Sequence, residues 1–436
     1  MRKRTRVFAY TLSLLMFGIC WTAPASADPV QPPTMHGKSA VLLDGSTGQL
    51  LYQYNPAVRN YPASTTKLLT ALVAMEHGQL NQPITVSEQA VNKPWDSASC
   101  YISAHETQPL EYLMYGMLLP SGNDCADAIG EGVAKGDVNQ FVAWMNETAV
   151  AAGATNSHFT NANGLHDPNH YTTALDLALI ARAAFNNPHV RKIAGTKAFD
   201  WPGKETNGTY YNLDSLLWNY EGTVGGKTGF TEEAGHTLVN AAERNGLRLI
   251  AVGMGYQDKA SEYQDVTALL DWGFDQFARG ELLSPGKVLT EVPVVDGTAA
   301  TVPAVVPQPF AAAVAKVNGQ APNLRQTFKP NSNLAAPVQP GEQVGTVEVW
   351  EGNRLLQSLP LVAQTGVAST PVALIKRGAG VLSIFLTWLS YIGSALLISI
   401  VLLRMIAVVR RRRRLAAQRI ALRLQQRSLR QGSTYK

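Results

Sequence analysis

"PASTTKLLTA", residues 62–71, opens a helical pattern with a serine and, three residues later, sets one lysine in an otherwise apolar run. At i, i+3 on a helix, Ser64 and Lys67 leave the same face a turn apart. Two readings are open for the pair. Ser64 is an N-cap and Lys67 a snorkelling surface lysine. Or Ser64 is a nucleophile at a helix N-terminus, where unpaired N–H groups and the dipole favour a deprotonating hydroxyl. Lys67, its pKa lowered by burial and nearby cations, is then the base that takes the serine proton. The pair alone does not choose.

Two further groups bear on it. "LLPSGNDCADAIG" (118–130) holds Ser121 and Asn123 in a Pro/Gly-broken corner between helical runs. A hydroxyl and an amide held rigidly there can relay a proton and grip a substrate amide; the plainer reading is a loop with an N-cap. Asp124 and Asp127 read as first-turn acids of the next helix. "GTVGGKTGFT" (222–231) puts Lys227, Thr228 and Gly229 on an expected edge strand. Lysine and threonine there can bind a carboxylate by charge and hydroxyl. Gly229 lets a ligand backbone come close, as though adding a strand.

Order and spacing decide between the readings. S-x-x-K is followed by S-x-N 54 residues after Lys67, and K-T-G comes 104 residues after Asn123. Three weak motifs in this order form the pattern of penicillin-binding proteins and class A β-lactamases, there with aspartate inside the second motif.

The surrounding chain reads as α+β. Residues 39–53 form a hairpin turned at Gly45–Gly48, and helical runs follow Ser64 as far as Gly78, over 109–120 and over 174–186. A late hairpin turns at Arg244-Asn245-Gly246, and a closing helix covers 266–278. Strands from both ends of the domain thus make a mixed sheet around an inserted helical cluster, a catalytic domain over 28–280. Residues 285–368, rich in Val, Pro and Gly and without histidine, read as a small all-β domain with no chemistry of its own.

With these motifs the chain from about 36 to 368 resembles the low-molecular-mass penicillin-binding proteins, the serine-type D-alanyl-D-alanine carboxypeptidases of peptidase family S11. "LLDGSTGQLLYQYNPAVRNYPASTTKLLTALVAME", "NGLHDPNHYTTALDLALIA" and "GGKTGFTEEAGHTLVNAA" carry the resemblance beside the serine–asparagine corner. The β stretch ending "APVQPGEQVGTVEVWEG" is similar to the second domain of such enzymes. The resemblance implies a β-lactamase/transpeptidase-like catalytic fold and a peptidoglycan stem peptide ending in D-Ala-D-Ala as substrate. β-Lactam antibiotics would be covalent inhibitors, and no metal or cofactor is implied. Residue by residue, it makes Ser64 the acyl-accepting nucleophile, Lys67 its base and Ser121 the proton shuttle to the leaving D-alanine. Asn123 holds the penultimate amide, Lys227 and Thr228 bind the terminal carboxylate, and the N–H groups of Ser64 and Phe230, after Gly229, form the oxyanion hole. His236 gets no catalytic role, and His166 and His170 read as structural.

The ends of the chain concern export. Residues 1–27 have a basic start, an apolar run and Ala25-Ser26-Ala27, and read as a signal peptide leaving Asp28 as the new N-terminus, the alternative being a retained anchor. Residues 369–380 read as a linker. Residues 381–403 carry no charge over a length that spans a bilayer, and the Arg-rich run after them belongs in the cytoplasm by the positive-inside rule. Of 37 Lys and Arg, four lie in 1–27 and eleven in 404–436, where no acid occurs; the 32 acids thus face 22 bases in between, a net −10. An acidic body argues against a nucleic-acid binder. In the tail, Arg419, Arg423 and Arg427 share a helical stripe suited to anionic membrane lipid, the alternative being a solvated stop-transfer tail. A full span departs from the amphipathic C-terminal helix common in the family. Cys100 and Cys125, the cysteines left after signal removal, are either a disulfide or two quiet buried thiols.

Three rival functions share the motifs. A class A β-lactamase needs a deacylating glutamate, but Glu131, Glu147 and Glu205 lack an E-x-x-L-N setting. A penicillin-binding sensor would acylate with little turnover. A D,D-endopeptidase acting on cross-links is the nearest rival.

Overall fold

The computed structural model describes residues 31–202, 208–317, 320 and 323–431; the expected signal peptide lies outside them. The chain divides into two compact units. One runs to Gly280 and takes in Ala311–Asn323; the other comprises Glu281–Phe310 and the chain from Leu324 onward.

In the first unit, the hairpin Ser39–Asp44 and Leu50–Tyr54 joins Thr223–Thr231, Gly235–Arg244 and Leu247–Tyr256 in one five-stranded sheet. Ser39–Asp44 pairs with Leu247–Tyr256, Val41 opposite Val252, so the first and last strands of the domain meet at the centre of the sheet. All four pairings are antiparallel; the mixture expected of this sheet lies in chain origin, not strand direction. Strand alternation sorts the apolar residues between two cores. Val41, Leu43, Val239 and Val252 face the helical cluster, whereas Ala40, Leu42, Leu238 and Ala251 join Val266, Leu269, Leu270 and Phe274 of helix Lys259–Gln276. Burial on both faces requires this continuous apolar pattern.

The helices between the strands are Lys67–His77, Leu110–Leu118, Asn123–Val133, Val138–Ala151 and Ala174–Asn186, with shorter pieces. Helix Lys67–His77 runs through the centre of the cluster, with every residue from Lys67 to Ala74 buried. The closing helix starts seven residues before its apolar run, because Asp258 caps it by accepting from Ser261 N–H at 2.8 Å. Ala311–Asn323, within the stretch expected to be wholly β domain, returns to this unit; Ala313 N–H donates to the buried carboxylate of Asp44 at 2.9 Å. That carboxylate needs donors, since a charge buried without them is costly.

The second unit contains a five-stranded antiparallel sheet in the order Thr290–Pro293, Thr301–Val305, Arg354–Ala363, Gln343–Glu351, Leu324–Pro330. Pro371–Gln431 is one helix, and its Pro371–Leu424 portion is long and apolar enough to cross a membrane. The linker expected over 369–380 is therefore helical from Pro371. Thr370 caps this start, its Oγ1 accepting from Ala373 N–H at 3.3 Å, and proline fits the first helical position because that N–H needs no partner.

Candidate active site

Ser64 lies in a 3₁₀ turn, Ala63–Thr66, that feeds helix Lys67–His77. The cap positions are Pro62 and Thr66, and neither makes a side-chain cap. Ser64 is thus no N-cap, and the first of the two readings fails. Ala63, immediately before it, has φ +49, and Ser121 has φ +70, both in the left-handed region that non-glycine residues seldom occupy. Such strain persists only where packing holds it, and it concentrates at functional sites.

Lys67 is wholly buried. Its Nζ contacts Ser64 Oγ at 2.9 Å, Asn123 Oδ1 at 2.6 Å and the Asn163 carbonyl oxygen at 2.6 Å. Burial first and the Lys227 charge second hold its pKa well below the ordinary lysine value, with Asp127 and Asp124 opposing. A neutral amine has two N–H bonds and one lone pair. Two of the three partners are amide oxygens, which only accept, so they take both N–H bonds. The lone pair is left for the one partner that can donate, the Ser64 hydroxyl.

Ser121 and Asn123 are buried beside this pair, and Ser121 Oγ has no hydrogen-bond partner among the described residues. Lys227 is buried on the edge strand opposite Val239, with Thr228 opposite Leu238. Its Nζ donates to the Thr228 carbonyl oxygen at 2.9 Å, and burial pulls its pKa to about 7 against the pull of Asp214. The expected edge position holds, since Thr223–Thr231 ends the sheet. At Gly229 a Cβ would stand 2.9 Å from Pro62 O and 3.0 Å from Ser64 N, so the strand and the Ser64 turn meet only over glycine. A cleft of about 390 Å³ is lined by Ser64, Ser121, Asn123, Thr228, Gly229 and Phe230, among others. Lys67 and Lys227 sit behind that lining. All eight expected site residues therefore converge on one place.

Other residues complete the site. Asp124, read as a plain helix-start acid, ties down the loop before it by accepting from Ser99 Oγ (2.7 Å) and the N–H groups of Cys100, Ile102 and Cys125. That loop brings Asp96, Ser97 and Ala98 to the cleft. Cys100 and Cys125 are buried thiols, and their Sγ atoms and an Asp124 oxygen lie within 4.8 Å of one another. Asp214 sits beside the edge strand, accepting from Asn240 Nδ2 at 2.7 Å. His170 is buried, in contact with Thr66 Oγ1 at 2.8 Å, and burial lowers its pKa to about 4. His236 lines the cleft with its ring 4.6 Å from that of Phe230.

Comparison with known proteins places this arrangement. The D-alanyl-D-alanine carboxypeptidase family, peptidase S11, matches residues 26–258, and the penicillin-binding protein 5 C-terminal domain matches 277–369. D-alanyl-D-alanine carboxypeptidase DacA of Haemophilus influenzae is 31% identical over 361 residues, covering 80% of this chain and 89% of that protein. DacF of Bacillus subtilis is 28% identical over 351 residues, covering 79% and 89%. The crystal structure of penicillin binding protein 5 from Haemophilus influenzae superposes with a TM-score of 0.65 at 30% identity, over 78% of this chain and all of that one. The Ser64 turn, the Ser121–Asn123 corner and the lysine-bearing edge strand are thus set in the fold of these enzymes, and the chain belongs to the D-alanyl-D-alanine carboxypeptidase family, peptidase S11.

Proposed function

We propose that this protein is a serine D-Ala-D-Ala carboxypeptidase that removes the terminal D-alanine from peptidoglycan stem pentapeptides. The observation that carries the reading is the set of three contacts at Lys67 Nζ; in the neutral amine the two amide oxygens take the N–H bonds and the lone pair is left for Ser64 Oγ.

Ser64 Oγ attacks the penultimate D-alanine carbonyl while Lys67 takes its proton. The oxyanion is held by the N–H groups of Ser64 and Phe230. Lys227 and Thr228 bind the terminal carboxylate, and Asn123 holds the penultimate amide. As the C–N bond breaks, Ser121 passes the proton to the departing amine, helped by Lys227. Water then cleaves the Ser64 ester, freeing the shortened peptide. A β-lactam opens its strained amide onto the same oxygen, forming the same kind of ester.

The anchoring follows from the ends. An export signal at 1–27 and a span within Pro371–Leu424 put the catalytic unit outside the cytoplasmic membrane and the arginine-rich tail inside, against anionic lipid.

The test is acylation of the full chain in detergent by a fluorescent penicillin, with the adduct located by peptide mass. Label on Ser64 is expected; no label, or label elsewhere, overturns the assignment.

A further inference from the structure

We propose that Lys93 and Asp127 form a clamp that positions the general base, Lys93 fixing Asp127, Asp127 fixing the side chain of Asn163, and the Asn163 carbonyl fixing Lys67 Nζ. The clamp rests on the reading of Lys67 as the base.

Asn163 Nδ2 donates to both carboxylate oxygens of Asp127, at 2.8 and 3.0 Å. Lys93 Nζ pairs with the same carboxylate at 2.5 Å and also donates to Gln89 O at 3.0 Å. Asn163 Oδ1 accepts from Leu165 N–H at 2.8 Å, so both ends of its amide are used. Its carbonyl then has one direction, toward Lys67 Nζ at 2.6 Å. Lys93 and Asp127 are largely covered, with 12% and 20% of their side chains exposed, so the pair is stronger than an open surface bridge.

Helix Asn123–Val133 makes this a device. Asn123 and Asp127 stand at i, i+4 on one face. Asn123 takes one Lys67 N–H directly, and Asp127 sets the acceptor of the other through Asn163. One helix face thereby fixes both N–H directions of the base, and with them the aim of its lone pair at Ser64. Asp127 is a positioning residue.

Charge makes the clamp measurable. The groups acting on Lys67 are Lys227 on the edge strand, Asp127 and Asp124 on the helix, and Cys100 on the loop, while His170 lies across the site. Asp127 favours the protonated lysine, and the Lys93 charge paired with that carboxylate works against it. Removing one partner leaves the other's charge uncompensated, so the two removals act on Lys67 with opposite sign.

The experiment uses the full chain in detergent with ¹³C-labelled lysine, the Lys67 signal being assigned by its loss in Lys67→Met. Its titration is followed in the native protein, Lys93→Gln, Asp127→Asn and the double variant, beside the rate of acylation by fluorescent penicillin. Lys93→Gln should move the Lys67 midpoint up, and Asp127→Asn down, each by about half a pH unit, with the double variant near native. Asp127→Ala should slow acylation on the order of tenfold, and Asp127→Asn, which keeps an acceptor for Asn163, should restore most of it. Midpoints that stay still or move together, or equal rates for the Ala and Asn variants, overturn the clamp. If the native chain is not acylated, the reading of the site fails, and the Lys67 titration still decides the clamp.

Discussion

Lys67 Nζ stands 2.9 Å from Ser64 Oγ with no path to solvent of its own, since Lys67 is completely buried while Ser64 lines the cleft. Burial and the Lys227 charge both favour the neutral form of Lys67. Lys67→Met removes the lone pair and keeps the bulk of the side chain. We expect the acylation rate to fall about 10³-fold, within the range typical of general-base loss. Stopped-flow acylation by a fluorescent penicillin measures it, with near-UV circular dichroism confirming the fold.

In the proposed mechanism two lysines titrate in opposite senses. Lys67 works deprotonated, and its pKa is held well below the usual lysine range by burial and by Lys227, so activity rises with pH on the acid side. Lys227 works protonated against a carboxylate, and its pKa is drawn to about 7, chiefly by burial. Its charge is present below that value and lost above it, so kcat/KM for a stem peptide should fall on the alkaline side. Lys227→Arg keeps its charge at every working pH. The alkaline limb should therefore move up by more than about one pH unit in that variant. A pH–rate profile of D-alanine release reads both limbs.

Gly164 lies behind the Ser64 turn with φ +84, and a Cβ there would come 2.0 Å from Ala63 O. Gly164→Ala should cost about 2 kcal/mol or more, from the left-handed backbone and the clash together. Because the clash falls on the residue before Ser64, acylation should slow as well. Thermal melting and acylation of the same preparation test both effects.

Much of this site was legible in the sequence because its chemistry sits in short local motifs. Ser64 and Lys67 are three residues apart, Ser121 and Asn123 two, and Lys227 to Phe230 contiguous. Order along the chain then made three weak signals one strong one. The Asn163 carbonyl was not legible, for it acts 96 residues from Lys67 through a backbone atom that every residue carries. Asp124 and Asp127 were visible as acids at a helix start, yet their partners, Ser99 to Ile102 and Asn163, come from other loops. The expected closing helix begins at Val266, though Asp258, eight residues earlier, with Ser261 three residues on, is a cap signal the sequence carries. Likewise, Thr370-Pro371 announces a helix start within the stretch read as a linker.

The C-terminal helix makes its own prediction. A chain ending at residue 369 lacks the whole of Pro371–Gln431. It should leave the membrane pellet for the soluble fraction, while the full chain resists carbonate and salt extraction and yields only to detergent. Extraction of the full chain by salt would mark the tail as a peripheral contact.

The central claim is tested most directly by D-alanine release. The full chain in detergent and its Ser64→Ala variant are incubated with a muramyl pentapeptide ending in D-Ala-D-Ala, and free D-alanine is assayed. Release by the native chain, with none by Ser64→Ala, is the predicted result. Release that survives the substitution contradicts Ser64 as nucleophile, and no release from a chain still labelled by penicillin contradicts the carboxypeptidase in favour of an endopeptidase or a sensor.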